Sequence, residues 1–272
     1  MALIVVGGDG ATTSALALAA GWPEPDTNEP DSDGVDLVVV EADPTGGSLA
    51  AWFDTPLSPS LSSVVTALHQ GSTSGATRLN QWSTVDTMIR RSAAGIRFIP
   101  APFRTREARG AISEADLSLF PLLAGLDHTV ALVDVGRIDP LRLPPAVRHA
   151  VLTVVVHRQD ASSAPAATVR LERLAETTEA LCDTGADVGL ALVGEDPFPL
   201  DEVVDFARPT GSAHSLALDP LSAAVLAGRT GVSSRRLARL PLMRSAGRAA
   251  ADLARLVASR PRAGTFVDGG AA

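Results

Sequence analysis

The chain has 272 residues, 46% of them hydrophobic, with 23 basic against 31 acidic side chains and a net charge of −8, which fits a soluble globular protein of one large or two small domains. A single cysteine, Cys182, excludes an internal disulfide, and the five histidines show no metal-ligand spacing. No basic-then-apolar leader opens the chain and no apolar run reaches the ~18–20 residues of a membrane helix, so a cytoplasmic location is expected.

One further exclusion comes from composition. All 23 basic residues are arginine, and the sequence contains no lysine. Aromatic residues make up only 4%, with no tyrosine, so the core has to be built from Ala, Val and Leu.

In chain order, residues 3–20 read LIVVGGDGATTSALALAA: a strand at 3–6, a glycine-rich turn, two threonines, and a helix at 12–20. This is the layout of a nucleotide-binding P-loop. Glycines let the backbone turn so that its N–H groups converge on an anion, and the helix that follows adds its positive end. Gly7, Gly8, Asp9, Gly10, Ala11, Thr12 and Thr13 are therefore candidate cofactor-binding residues. Thr12 stands where a hydroxyl would ligate Mg²⁺. A glycine-rich turn with no ligand would read the same way on this loop alone.

An acidic, proline-rich loop at 22–35 leads to a strand at 36–41, which ends in Glu41-Ala42-Asp43-Pro44-Thr45-Gly46. Acids at the end of a buried strand sit where open α/β sheets bind ligands. A helix is expected at 60–70, a mobile GSTSGAT stretch at 71–77, a strand at 95–99 and a helix at 105–123. The strand at 129–134 ends in Asp134, followed by Gly136 and Arg137, in the form of a Walker B element. Asp43 and Asp134 are the candidate catalytic acids, and Thr12 and Asp134 the candidate metal ligands. The run 150–156 is nearly continuous apolar, as a parallel strand covered on both faces should be. His157 closes it and reads as structural or surface, and Cys182, in the helix at 162–182, reads as a small core residue. Strands at 188–193 and 214–218 alternate with helices at 200–207, 220–227 and 243–259. Such alternation specifies an α/β fold: one doubly wound, mostly parallel sheet of about seven strands flanked by helices. The domain spans 1–262, with a disordered tail at 263–272.

The loop resembles that of the ParA/MinD group of deviant-Walker ATPases, K-G-G-x-G-K-T-T. Gly7, Gly8, Gly10, Thr12 and Thr13 match it. Val6 stands at the signature lysine, which in that family reaches across a dimer to the partner's nucleotide, and Ala11 stands at the general P-loop lysine. The family's D-x-D-P-x-G corresponds to Glu41, Asp43, Pro44 and Gly46, and its Walker B acid to Asp134. The run 151–174 is similar to the strand and helix that follow Walker B. Leu216 to Pro220 look like the late segment bordering the adenine, which implies cofactor roles for Asp219 and Pro220. The likeness covers about residues 3–258. It implies a P-loop NTPase-like domain, ATP or ADP with Mg²⁺ as ligand, a homodimer, a protein partner, and a role in partition or positioning. Divergent relatives of the CpaE/TadZ type add pilus and secretion machinery to that range.

The missing lysines weigh against hydrolysis. A cation about 4 Å from a phosphate is worth roughly 4 kcal/mol at an effective dielectric near 20, before desolvation and screening. Asp9 puts a negative charge in the loop instead. Arg137 and Arg158 follow strand ends and are the candidate substitute cations. Two readings follow: a pseudo-ATPase that binds nucleotide weakly or not at all and works as a scaffold, or a Mg-ATPase using arginine or a partner-supplied cation and cycling between monomer and dimer.

Nine arginines and one acid lie within 229–262, a local charge of +8, which leaves −16 on the rest of the chain. Arg235, Arg236 and Arg239 are the candidate partner-binding residues. The helix at 243–259 reads as a core helix with a wet arginine face, as a nonspecific DNA surface, or as a membrane helix. The last lacks the bulky aromatics such helices use, so DNA stands ahead of lipid.

Overall fold

The computed structural model describes residues 2–23, 36–73, 75–159, 163–194 and 196–259. In chain order it contains β1 (Ala2–Gly8), α1 (Ala11–Ala20), β2 (Asp36–Glu41), α2 (Leu49–Trp52), α3 (Leu61–Thr73), α4 (Arg78–Asp86), β3 (Arg90–Arg91), β4 (Arg97–Ile99), α5 (Thr105–Leu117), α6 (Leu119–Ala124) and β5 (Thr129–Asp134). A 3₁₀ turn (Pro145–His149) then leads to β6 (Leu152–Arg158), α7 (Ala164–Cys182), β7 (Val188–Val193), α8 (Leu200–Ala207), β8 (Ala213–Leu216), α9 (Pro220–Leu226), α10 (Ser234–Leu237) and α11 (Pro241–Ser259).

The strands form one sheet in the order β3-β4-β2-β5-β1-β6-β7-β8, parallel except for the edge strand β3. The central strands are apolar at almost every position because helices cover both faces. Leu3 and Val5 of β1 face one core layer, with Leu68 of α3, Ala115 of α5, Leu119 of α6 and Leu171 of α7. Ile4 and Val6 face the other, with Leu16 of α1 and Ala246 and Leu253 of α11. The chain winds outward from β1 through β2 and β4, returns to β5 beside β1, then continues on the other side through β6. The winding direction therefore reverses at β1. A ligand crevice is expected at the C-terminal ends of β1, β5 and β6.

The expected alternating α/β architecture is present, with an added two-residue antiparallel edge strand. Other departures have local causes. The helix expected at 105–123 is two, because Pro121 offers no N–H and its ring would meet the carbonyl of Leu117, where α5 ends. Gly71 to Thr73 continue α3 instead of forming a separate loop. Thr77 then caps α4, its hydroxyl accepting from the Asn80 N–H at 3.4 Å. Residues 243–259 do form a core helix: Leu242, Met243, Ala246, Ala249, Ala250 and Leu253 of α11 are buried, while Arg244, Arg248 and Arg255 are exposed. Small residues let it lie close on α1, where a Cβ on Gly21 would come within 2.9 Å of Gly247 Cα. Cys182 is half-buried against the core. No helix among the described residues is long and apolar enough to cross a membrane. The tail at 263–272 and most of the 22–35 loop lie outside the described residues.

Candidate functional site

The glycine-rich turn stands in the crevice. Gly8, at φ 122°, donates its N–H to the Gly136 carbonyl at 2.8 Å, and a Cβ there would sit 2.1 Å from the Val156 carbonyl oxygen. Gly10 is different. It takes φ 92° as the N-cap of α1, and a Cβ would meet nothing closer than Val156 Cγ1 at 3.9 Å, so only its positive φ calls for glycine. Gly10 supplies no side-chain cap. The N–H groups of Ala11, Thr12 and Thr13 precede the first i→i−4 bond of α1, which runs from Ser14 to Gly10 at 3.0 Å. Such N–H groups at the start of a helix are of the kind that can receive an anion. The side-chain half differs: Ala11 is 2% exposed and Val6 0%, both in the core layer beneath α1.

Two strand-end acids meet beside this loop. Asp134 is fully buried; its Oδ1 accepts from the Gly136 N–H at 3.0 Å, while Oδ2 has no hydrogen-bond partner. Burial pushes its pKa up to about 7; the Thr12 hydroxyl and the Gly136 N–H oppose this, and the neighbouring Glu41 and Asp43 add to it. The Thr12 hydroxyl thus approaches the carboxyl without forming a good hydrogen bond to Oδ2. Asp43 accepts from the Thr45 N–H at 2.8 Å and the Thr45 hydroxyl at 2.7 Å. Its other oxygen lies over the turn after β5, since a Cβ on Gly136 would be 2.3 Å from Asp43 Oδ2.

Glu41, the third acid of the group, is engaged elsewhere. Its carboxylate accepts from the Ser48 N–H (2.6 Å), the Ser48 hydroxyl (3.1 Å), the Leu49 N–H (3.1 Å) and the Ala101 N–H (2.9 Å). It ties the start of α2 to the loop after β4. Burial raises its pKa, and these hydrogen bonds hold the rise back. Nothing at the strand end in the sequence distinguishes this pin from a free carboxylate, because its partners lie 7 to 60 residues away.

Of the candidate cations, Arg137 reaches the loop, where its Nε lies 3.1 Å from Asp9 Oδ1. Arg158 ends β6 with its side chain exposed, and among the described residues it makes no ion pair or hydrogen bond with the loop. Asp219 lies at the far side, after β8, and caps α9: its Oδ1 accepts from the Leu221 N–H at 3.1 Å and the Ser222 N–H at 3.3 Å, with Pro220 as the first helical residue. Arg235, Arg236 and Arg239 are exposed on and just after α10. Sequence reasoning did not single out Arg170, Arg173 and Thr177 of α7, which line a cavity beside Gly8 and Asp9 together with His157. Their spacing of three and four along one helix was the available signal.

The donors present suit a hard cation in part. Thr12, Asp134 with its unpartnered oxygen, and Asp43 are oxygen donors of the type Mg²⁺ takes, and Mg²⁺ commonly uses one or two carboxylates with substrate phosphates completing the shell. No cluster of three or more His, Cys, Asp or Glu among the described residues could cage a metal alone.

No protein-family model matches the sequence, and no curated protein matches it. Solved structures do. A ParA family ATPase from Chlorobium tepidum TLS aligns at TM-score 0.63 and 16% identity, over 93% of this chain and 98% of that one. The septum site-determining protein MinD of Pyrococcus horikoshii OT3, complexed with Mg-ADP, aligns at 0.63 and 15%, over 94% and 96%. The MinC:MinD cell division complex of Aquifex aeolicus aligns at 0.59 and 13%, over 97% and 99%. At such identities the likeness shows the fold alone: the chain shares the P-loop NTPase-like fold of these ParA and MinD structures.

Proposed function

We propose that the protein is a ParA/MinD-like positioning or scaffolding factor with a degenerate nucleotide site, that its ATP hydrolysis is weak or absent, and that it acts through a protein partner. One observation carries this reading. Both positions where the family places a lysine are occupied by buried apolar residues, Val6 and Ala11, and three carboxylates, Asp9, Asp43 and Asp134, stand around the same loop. A triphosphate there would meet that negative charge, offset within the loop itself by backbone N–H groups and the end of α1. Arg137, the cation at the loop, is engaged by Asp9. Thr12, Asp134 and Asp43 would hold Mg²⁺, which, when bound with a nucleotide, neutralises phosphate charge.

The remaining parts of the reading follow the fold. A MinD of the same architecture binds Mg-ADP, and another is found in complex with MinC. By analogy this chain takes ATP or ADP weakly, pairs as a homodimer across the crevice, and presents a surface to a protein partner in the cytoplasm. The exposed arginines Arg235, Arg236 and Arg239 offer a face for nonspecific DNA ahead of lipid.

The test is nucleotide binding and turnover by the purified full chain. A ligand that binds only the native state raises its stability, so the melting temperature with and without Mg-ATP reads affinity directly. The expected result is a small or absent shift and turnover near the buffer blank. Robust Mg-dependent turnover that disappears in Asp134→Ala would overturn the reading. If it also disappears in Arg137→Ala, the protein is an active ATPase with arginine in the lysine's place, the alternative that the approach of Arg137 to the loop favours.

A further inference from the structure

The glycine turn and the turn after β5 are tied by one backbone bond, from the Gly8 N–H to the Gly136 carbonyl at 2.8 Å. The next residue on each side is charged: Asp9 follows Gly8, and Arg137 follows Gly136. The bond therefore sets a carboxylate and a guanidinium side by side, and Arg137 Nε lies 3.1 Å from Asp9 Oδ1. The backbone that carries Asp9 is fixed on both sides. Gly8 and Gly10 take φ of 122° and 92°, and a Cβ on Gly8 would fall 2.1 Å from the Val156 carbonyl oxygen. The pair lines a cavity of about 340 Å³ together with Gly8 and His157. Burial lowers the His157 pKa, the Asp9 carboxylate opposes this and Arg170 adds to it, so the charge of Asp9 is felt across that cavity. The pair is nonetheless open to water: the Arg137 side chain is 87% exposed and that of Asp9 39%. Exposed ion pairs hold weakly, so a stronger anion can displace this one.

We propose that Asp9 is a built-in competitor for the phosphoryl group of a nucleotide: its carboxylate occupies the guanidinium of Arg137 and thereby holds down the affinity of the glycine loop. The inference rests on the reading of that loop as a nucleotide site and adds how its affinity is set. A guanidinium takes a carboxylate or a phosphoryl group through the same N–H donors, so the two anions compete for one cation. Asp9 reaches it from within the chain, without the loss of translational and rotational freedom that a ligand in solution has to overcome. Its charge also stands two to four residues from Ala11, Thr12 and Thr13, whose N–H groups an anion at the start of α1 would use. Removing the carboxylate therefore acts twice: it lifts a repulsion, and it frees a donor. The first effect is the same whatever residue stands at 137, whereas the second needs the arginine.

Calorimetric titration of the full chain with pyrophosphate and with Mg-ADP tests it, in wild type, Asp9→Asn, Arg137→Gln and the double variant. Asp9→Asn should bind the probes about tenfold more tightly, the size of one charge-assisted hydrogen bond. Arg137→Gln should cost about tenfold in the Asp9→Asn background, where the guanidinium is free, and about twofold in wild type, where Asp9 already holds it. Asp9→Ser, which removes the charge with a smaller side chain, should match Asp9→Asn. Both side chains reach solvent, so melting temperatures within about 1–2 °C of wild type are expected and confirm that the variants fold. No gain in Asp9→Asn, no binding by any of these proteins, or the same loss from Arg137→Gln in both backgrounds would overturn the proposal, the last by leaving charge repulsion as the whole effect of Asp9. The degenerate-site reading fails by a different result, tight binding and robust Mg-dependent turnover in wild type.

Discussion

Replacing Asp134 by Asn should remove a pH dependence built into the sheet. In metal-free solution the carboxyl is fully buried, with a pKa near 7 in the native state against an ordinary 3.8. Between those values the native chain holds a proton that the unfolded chain has released, so stability falls as pH rises through the window. From pH 5 to pH 8 this one group should cost the fold about 2–3 kcal/mol. Asparagine has nearly the same shape, keeps an oxygen for the Gly136 N–H, and carries no charge in either state. The variant should therefore hold most of its stability across the same interval. Glu41, whose pKa is also raised by burial, acts with the same sign and stays in place, so the slope should shrink without vanishing. Thermal melts in chelator at pH 5 and pH 8 measure this: the pH-induced drop in melting temperature should be smaller in the variant by about 5–10 °C. Superimposable pH profiles for wild type and variant would refute the reasoning and mean that the crevice is wet enough for Asp134 to ionise freely.

Three further outcomes are expected. Gly8→Ala should cost about 3 kcal/mol or more, since its Cβ would lie 2.1 Å from the Val156 carbonyl, whereas Gly10→Ala should cost about 1–2 kcal/mol for its positive φ alone; urea denaturation ranks the two. Glu41→Ala should strip acceptors from the N–H groups of Ser48, Leu49 and Ala101, at about 1–3 kcal/mol per orphaned donor, and hydrogen exchange at those three amides should rise together. Changing Arg235, Arg236 and Arg239 together to Ala should leave the melting temperature within about 1–2 °C of wild type. It should also weaken binding to random-sequence duplex at low salt, binding that itself falls steeply with added salt; a gel shift that is absent in wild type leaves these arginines as solvating charges.

The parallel sheet was legible because its central strands are buried on both faces, so 129–134 and 150–156 advertise themselves as unbroken apolar runs. The strand-end position of Asp43 and Asp134 was legible for the same reason, and the structure brings both to the glycine turn. What could not be read is how each charge is used. Whether Glu41 is free or pinned is decided by the backbone of 48–49 and 101, and whether Asp219 faces a base or caps a helix is decided by the turn it starts. Elements without an apolar stripe were also invisible: α4, RLNQWSTVD, buries Val85 and little else, and β3 is two arginines. The core-helix reading of 243–259 matches α11, which divides its residues between a buried face rich in alanine and a wet arginine face; the charge sum of the +8 segment could not show that division by itself.

The glycines around the crevice have a consequence for how such a chain drifts under mutation. Gly8 is held by Val156, Gly46 by the Phe103 carbonyl, Gly47 by the Ala101 carbonyl, and Gly136 by Asp43; at each a Cβ would fall 2.1 to 2.4 Å from a protein atom, with no ligand involved. A lysine in a phosphate loop has no such guarantor, because its partner is the nucleotide. Mutational pressure on the two kinds of residue is therefore uncoupled: relaxing the demand for nucleotide chemistry frees the lysine positions at once and leaves the glycines fixed by packing. Apart from Gly10, where a Cβ would meet nothing closer than 3.9 Å, these crevice glycines are a record of how the strands and loops close on one another.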